Sequence, residues 1–365
     1  MGKKKFHCIF PIGQNVHLVK DVGMIPYMLQ KEGYYDSYIS FYETSENLPH
    51  LKNEVKGLKY KRIKKVFQNE DLNIFLFLLF NFWKMNYVMM FHPSFRKILI
   101  GFLFKVLSFN RLKFYFKMDA NDTLLEEKFY PESVNYKLRN FFYNKTGKFT
   151  VETKKVADFM NEFSYINVSF LPNGFIKSPE NTITKENRLL WVGRVGAEEK
   201  GINYLLSALS NIDLKNWKVD IVGPYDSHFS ETIDDFFLNA PGLKGKIEFT
   251  GNISSRELLD EYYAKSKIFV LTSKYESFGL VLVEALAHGN FLVSSDLLPA
   301  QEISGFGKFG KLFPVGDSQK LASILQSIID EKMHLPSKES IIAYADENYD
   351  WNVLVRKLYE LLESK

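Results

Sequence analysis

One cysteine, Cys8, in 365 residues has no partner within the chain. An intrachain disulfide and a cysteine-based metal cluster are therefore excluded, and a reducing, cytoplasmic setting is expected. Long apolar runs are also missing. The longest, Leu72 to Trp83, is broken by Asn73 and Asn81 and reaches only about half of the ~20 residues that a membrane-crossing helix needs. The opening Met1-Gly2-Lys3-Lys4-Lys5-Phe6 is basic, yet Cys8-Ile9-Phe10 is too short for a signal-peptide core and Pro11 follows at once. Phe6 stands where N-myristoylation requires Ser or Thr. No internal repeat or low-complexity segment interrupts the chain, and 46% hydrophobic with 25% charged residues excludes disordered and fibrous classes.

A chain of this length exceeds what one hydrophobic core supports, so two domains are expected. Charge divides unevenly between them. Residues 1–150 carry 24 Lys and Arg against 13 Asp and Glu, a net +11, and the remainder carries 23 against 30, a net −7. Most of the Phe and Tyr also lie in the first half. A basic, aromatic half beside an acidic one suggests that the first faces something anionic, a membrane surface or a phosphorylated acceptor, unless the charge is simply a solvated face.

Apolar runs of four to six residues alternate with helical patterns throughout, the signature of α/β architecture with parallel sheets. In the first half, strands are predicted at Phe6–Phe10, Ser37–Tyr42, Tyr60–Ile63, Tyr87–Phe91, Phe114–Met118, Phe149–Glu152 and Val168–Leu171. A helical stretch follows Pro11-Ile12-Gly13-Gln14-Asn15 to about Glu32, and others span Asp71–Met85, Phe95–Ser108 and Thr153–Asn161. After a polar linker, Ser178 to Asn187, the rhythm restarts with Arg188–Gly193 and continues through Val219–Val222, Ile247–Thr250, Ile268–Leu271, Phe291–Ser294 and Gly310–Phe313. The expected domains are 1–177 and 178–340, with 341–365 returning to the first.

Two segments of the second half carry chemistry. Trp191-Val192-Gly193-Arg194-Val195-Gly196-Ala197-Glu198-Glu199-Lys200-Gly201 runs from a strand through a basic loop into a helix. Free backbone N–H groups at such a helix entry suit phosphate, and Arg194 with Lys200 can neutralise a diphosphate leaving group without a metal. The second segment, Ser273 to Gly289, begins at the carboxyl end of a predicted strand, where α/β sheets bind ligands. Within it, Glu276 can accept hydrogen bonds from sugar hydroxyls and stabilise positive charge at an anomeric carbon. Glu284, on an apolar helix predicted from Phe278 onward, is costly to bury without partners and can hold two ribose hydroxyls; it can equally form a buried ion pair. The N–H groups of Phe278, Gly279 and Leu280 lie at that helix start.

With Pro172-Asn173-Gly174, Val222-Gly223-Pro224 and Phe249-Thr250-Gly251-Asn252, these segments resemble the retaining GT-B enzymes of glycosyltransferase family 4, also described as glycosyl transferases group 1. Glu276 and Glu284 have the spacing of that family's paired glutamates, and the likeness covers about residues 170–330. It implies a GT-B fold, two facing Rossmann-like domains with a cleft between them. It implies a nucleotide-sugar donor, UDP favoured, with Arg194 and Lys200 on its phosphates, Glu276 on the sugar, Glu284 on the ribose, Asn173 nearby and the backbone of Ser277 to Leu280 on sugar and phosphate. Transfer would retain anomeric configuration. No Asp-x-Asp stands at a predicted strand end, which accords with a site that needs no metal and no other cofactor.

The first half departs further from the family. Only Gly13 matches its Gly-rich first loop. His92 stands where relatives often carry a catalytic His, although a His before Pro93 can also be a cap, and Asp119 and Asn121 occupy another position that meets sugar or acceptor. The cluster Lys56 to Lys65, with six cations and no acid, resembles the membrane-facing surface of transferases acting on lipid-linked acceptors. The expected protein is a hexosyl- or N-acetylhexosaminyltransferase making cell-surface polysaccharide on a glycan or lipid-linked acceptor, peripheral on the inner membrane face. No nucleic-acid partner is expected, since no binding module accompanies the basic cluster. Alternatives are a GT-B sugar-nucleotide epimerase and a non-catalytic transferase-like subunit.

Overall fold

The computed structural model describes residues 2–43, 48–119, 125, 134–164, 166–177 and 183–364. The chain forms two compact units, residues 1–174 with 351–365 and residues 175–350.

In the first unit, seven strands form one parallel sheet: β1 (Lys5–Ile9), β2 (Asp36–Ser40), β3 (Lys59–Tyr60), β4 (Tyr87–Phe91), β5 (Lys113–Met118), β6 (Gly147–Val151) and β7 (Val168–Phe170), in the order β3-β2-β1-β4-β5-β6-β7. Strands covered on both faces read as unbroken apolar runs, and all five residues of β4, Tyr-Val-Met-Met-Phe, are buried. Helices α1 (Asp21–Lys31), α2 (Pro49–Asn53), α3 (Glu70–Leu79), α4 (Phe95–Leu107), α5 (Val134–Thr146) and α6 (Lys154–Phe163) lie between them. The long first helix expected to about Glu32 is two pieces, a 3-10 turn over Asn15–Val19 and then α1. Extended backbone at Lys20 separates them, and Gly23 comes so close to Leu18 that a Cβ there would lie 2.2 Å from its carbonyl oxygen.

The second unit repeats the plan with six parallel strands, β8 (Glu186–Val192), β9 (Lys218–Val222), β10 (Ile247–Gly251), β11 (Ser266–Leu271), β12 (Phe291–Ser295) and β13 (Gly310–Phe313), ordered β10-β9-β8-β11-β12-β13. Its helices are α7 (Ile202–Leu209), α8 (Ser227–Asn239), α9 (Arg256–Lys265), α10 (Leu280–Ala287), α11 (Leu298–Ile303), α12 (Ser318–Ile329) and α13 (Lys338–Tyr349). The units divide at Gly174/Phe175 and Asp350/Trp351, against expected boundaries of 177/178 and 340/341. The reason is local. Phe175 N–H donates to the Tyr349 carbonyl at 3.0 Å and Phe175 pairs with Asp350, so both crossing segments are tied into the second unit.

The last helix, α14 (Trp351–Glu363), belongs to the first unit. Its buried Trp351, Leu354, Val355, Leu358 and Leu362 form one stripe at helical spacing. That stripe joins the cluster of Phe6, Tyr35 and Tyr87. Glu363 accepts from Lys4 Nζ at 2.7 Å and from the Tyr35 hydroxyl at 2.8 Å, and Tyr359 stacks on Tyr34 at 4.3 Å. No helix among the described residues is long and apolar enough to cross a membrane.

Candidate active site

In both sheets the strand order reverses once, between β1 and β4 and between β8 and β11. The loops leaving the carboxyl ends of two such strands run to opposite sides and open a crevice, the usual ligand position in α/β sheets.

In the second unit those loops bring Lys200 and Glu276 together from 76 positions apart. Lys200 Nζ lies 2.6 Å from Glu276 Oε1, and the Ser273 hydroxyl donates to the same oxygen at 2.7 Å. Glu276 is 13% exposed, and Oε2 has no hydrogen-bond partner among the described residues. The backbone beneath is fixed by Thr272, whose hydroxyl donates to the Lys200 carbonyl at 2.9 Å and accepts from Trp191 Nε1 at 3.0 Å. Gly201 turns the chain from the loop into α7 at φ 59°, and a Cβ there would sit 2.3 Å from the Thr272 carbonyl oxygen. A side chain would therefore be strained by conformation and by contact, which only glycine escapes.

Arg194, on the same loop, is 69% exposed and pairs with Glu199 rather than with Glu276. The helix predicted from Phe278 begins at Leu280, because Gly279 adopts the left-handed conformation. The stem of Glu276 runs past Gly279, its Cγ 3.9 Å from where a Cβ on that glycine would sit. Ser277 is exposed. Phe278 is buried with its ring 6.5 Å from that of Tyr349, which leaves only its backbone for a ligand.

Glu284 lies on the half-exposed side of α10, while Leu282, Val283, Ala285 and Leu286 fill the core. It has the ion pair that its burial requires: Oε1 is 2.6 Å from Arg256 Nη1, and Oε2 accepts from the Tyr263 hydroxyl at 3.1 Å. Burial first, and then the Glu284 charge, push the Tyr263 phenol well above its ordinary value. Sequence reasoning missed Ser273, Arg256 and Tyr263. Ser273 left a signal, a polar residue two positions past the apolar end of β11, whereas nothing in the sequence tied Arg256 to a glutamate 28 positions on.

In the first unit, Gly13 and His92 follow β1 and β4 and so flank that sheet's reversal point. Phe41 closes over Gly13, and a Cβ there would meet its ring at 2.1 Å. His92 is exposed in a left-handed backbone at φ 50°, an uncommon state for histidine, and its N–H donates to the Lys117 carbonyl at 3.3 Å. Asp119 is exposed just past β5. Asn121 lies outside the described residues. Asn173 is buried at the end of this unit, with its side-chain oxygen unpartnered among the described residues.

A charge pair absent from the sequence reading lies at the carboxyl edge of this sheet. Lys117 is fully buried, with Nζ 2.8 Å from the Leu171 carbonyl oxygen and 3.2 Å from Glu152 Oε1. Burial pushes the Glu152 carboxyl up to about 7, against the pull of Lys117. Burial also raises the carboxyl of Asp21, at the head of α1. Within the basic cluster, Lys59 pairs with Asp36, Lys61 donates to Asn81 and Arg62 pairs with Glu43, so part of the cluster's charge is already engaged.

Residues 174–348 match the model of the family described as glycosyl transferases group 1. Over 181 residues the chain is 29% identical to a phosphatidyl-myo-inositol mannosyltransferase of Mycolicibacterium smegmatis, covering 48% of this chain and 45% of that protein. It is 26% identical over 191 residues to an uncharacterized 41.2 kDa protein in the cps region of Klebsiella pneumoniae, covering 52% of this chain and 49% of that one. The chain spans about half the length of the curated relatives it matches. Among solved structures, Anabaena HepE in complex with UDP superposes over 99% of this chain and all of its own, with a TM-score of 0.73 at 14% identity. The two parallel-sheet units have the GT-B fold.

Proposed function

We propose, from the match of residues 174–348 to the glycosyl transferases group 1 model, that this chain is a retaining, metal-independent glycosyltransferase. It takes a hexose or N-acetylhexosamine from a nucleotide diphosphate donor, UDP favoured, and passes it to a glycan or lipid-linked acceptor. The observation that carries the reading is the Lys200–Ser273–Glu276 cluster at the reversal point of the second sheet. A cation and a carboxylate held together on the loops that follow β8 and β11 can engage a phosphate and a sugar hydroxyl of one substrate.

In this reading Lys200 and Arg194 take the donor diphosphate, supplying the charge stabilisation that a divalent ion gives elsewhere. Glu276, already fixed through Oε1, offers Oε2 to a sugar hydroxyl and stabilises positive charge as the bond between the anomeric carbon and the phosphate oxygen lengthens. The acceptor oxygen bonds to that carbon on the face the phosphate leaves, and its proton passes to the departing phosphate oxygen. Glu284 holds the ribose. In the first unit, His92, Gly13 and Asp119 are the candidates for contacts to sugar, phosphate and acceptor, as Asn121 is by its place in the sequence.

A lipid-linked acceptor is favoured by the relative named as a phosphatidyl-myo-inositol mannosyltransferase and by exposed Leu99, Leu103 and Leu107 on α4, a helix with no acidic residue. The same reading places Lys56 to Lys65 against anionic lipid. Recovery of the protein with phosphatidylglycerol vesicles on flotation at low salt is expected, and its absence rejects that contact.

The test of the reading is a thermal-shift series with UDP, GDP and their sugar conjugates in EDTA. One nucleotide raises the melting temperature of the wild type and not of Arg194→Ala. Glu276→Ala keeps that shift and loses transfer; turnover near wild type in Glu276→Ala refutes the assignment.

A further inference from the structure

The Glu284 carboxylate does not choose its own orientation. Arg256 and Tyr263 hold one oxygen each, and both come from α9, seven residues apart and hence on one face of that helix. Each donor is itself anchored. Arg256 Nε lies 2.9 Å from Asp260 Oδ1, one turn along α9. The buried Tyr263 ring lies nearly parallel to that of His288, with centroids 5.4 Å apart, and His288 Nδ1 is 2.8 Å from the Glu284 carbonyl oxygen. Helices α9 and α10 are thus joined by two hydrogen bonds at the Glu284 side chain and by the stacking of Tyr263 on His288, whose ring is in turn held by the Glu284 backbone within α10.

A carboxylate has about four acceptor positions, two on each oxygen. Arg256 fills one on Oε1 and Tyr263 one on Oε2, leaving one on each. The Glu284 side chain is 20% exposed, so these positions can be reached. One open acceptor position on each oxygen of a fixed planar group suits two neighbouring hydroxyls on one ring. Because the Tyr263 phenol titrates far above neutrality, it remains a donor and does not compete for those hydroxyls.

We infer that Arg256 and Tyr263 are positioning residues that lock Glu284 so that it accepts both ribose hydroxyls of the donor nucleotide. The inference rests on the assignment of Glu284 to the ribose and adds the device that makes the assignment selective for a cis-diol. A site built to hydrogen-bond a hydroxyl rejects the analogue without it, because its acceptors are then left unpaired.

The test is calorimetric titration of UDP and GDP, each beside its 2′,3′-dideoxy counterpart, into the wild type, Arg256→Met, Arg256→Lys and Tyr263→Phe, with melting curves for all four proteins. The wild type is expected to prefer the diol form by roughly 10²- to 10⁴-fold, the loss of two hydrogen bonds to a charged acceptor. In Arg256→Met that preference falls toward one while dideoxy affinity is nearly kept. Arg256→Lys restores part of it, and Tyr263→Phe loses several-fold. A purely structural role would lower the melting temperature and weaken both ligands alike, leaving their ratio intact. If Arg256→Met and Tyr263→Phe both keep the wild-type ratio, the inference is overturned and the ribose assignment stands. If the wild type shows no preference, or binds none of the four, the ribose assignment itself fails.

Discussion

The buried pair at the carboxyl edge of the first sheet ties stability to pH with a definite sign. In the unfolded chain Glu152 titrates near the ordinary glutamate value; in the folded protein burial raises it to about 7. An acid whose folded value is raised is easier to keep protonated in the fold, so stability is full below the unfolded value and declines as pH rises through the folded one. At 1.36 kcal/mol per unit, the decline from pH 5 to pH 8 is about 2 to 3 kcal/mol. For a unit of this size, that is a fall in melting temperature of about 5–10 °C. Glu152→Gln, near in shape and incapable of ionising, removes this contribution, although it also removes the charge facing Lys117. The assay is calorimetric melting of both proteins at half-unit pH steps. The variant should gain on the wild type by about 5–10 °C between pH 5 and pH 8; parallel curves would show that Glu152 ionises freely in the fold and refute the reasoning.

Other consequences can be checked with the same instruments. Gly201→Ala forces a Cβ against the Thr272 carbonyl at a left-handed φ, a strain of at least ~1 kcal/mol. The backbone of Lys200 should move with it, so the nucleotide-induced thermal shift is expected to disappear while the protein still folds. Trp351→Ala empties the largest buried position of α14 and should cost about 3–5 kcal/mol, read as a lower denaturant midpoint. Lys117→Met leaves Glu152 buried without its cation and should cost a similar ~3–5 kcal/mol near pH 8, with part of the loss recovered near pH 5 as the carboxyl takes up a proton.

The strands were the most legible part of the sequence. Tyr87–Phe91 begins and ends where its apolar run does, because helices on both sides of a parallel sheet leave no polar face to blur the pattern. Helix boundaries were less legible where backbone conformation rather than polarity decides them. Gly279 delays α10 to Leu280, and extended backbone at Lys20 divides a stretch that the sequence pattern left continuous. Helix α5 was not anticipated at all, since Val134–Thr146 mixes Asn, Lys and Tyr without a clear stripe. The site followed the same logic. Glu276 and Lys200 were visible because each follows a strand in a loop of recognisable composition. That they touch, that Arg194 turns to Glu199 and that Arg256 reaches Glu284 are facts of strand order and helix packing between residues far apart in the chain. Periodicity carries no information about such pairs.

Because α14 is made after the whole of the second unit yet completes the core of the first, the order of synthesis and the order of assembly differ. At 5–20 residues per second, residues 1–174 leave the ribosome roughly 10–40 s before Trp351 does. During that interval the apolar ground around Phe6, Tyr35 and Tyr87 lacks its natural cover, whereas the core of residues 175–350 is complete as soon as residue 350 is made. A break in translation anywhere in the second half therefore leaves both units incomplete, the second truncated and the first without α14.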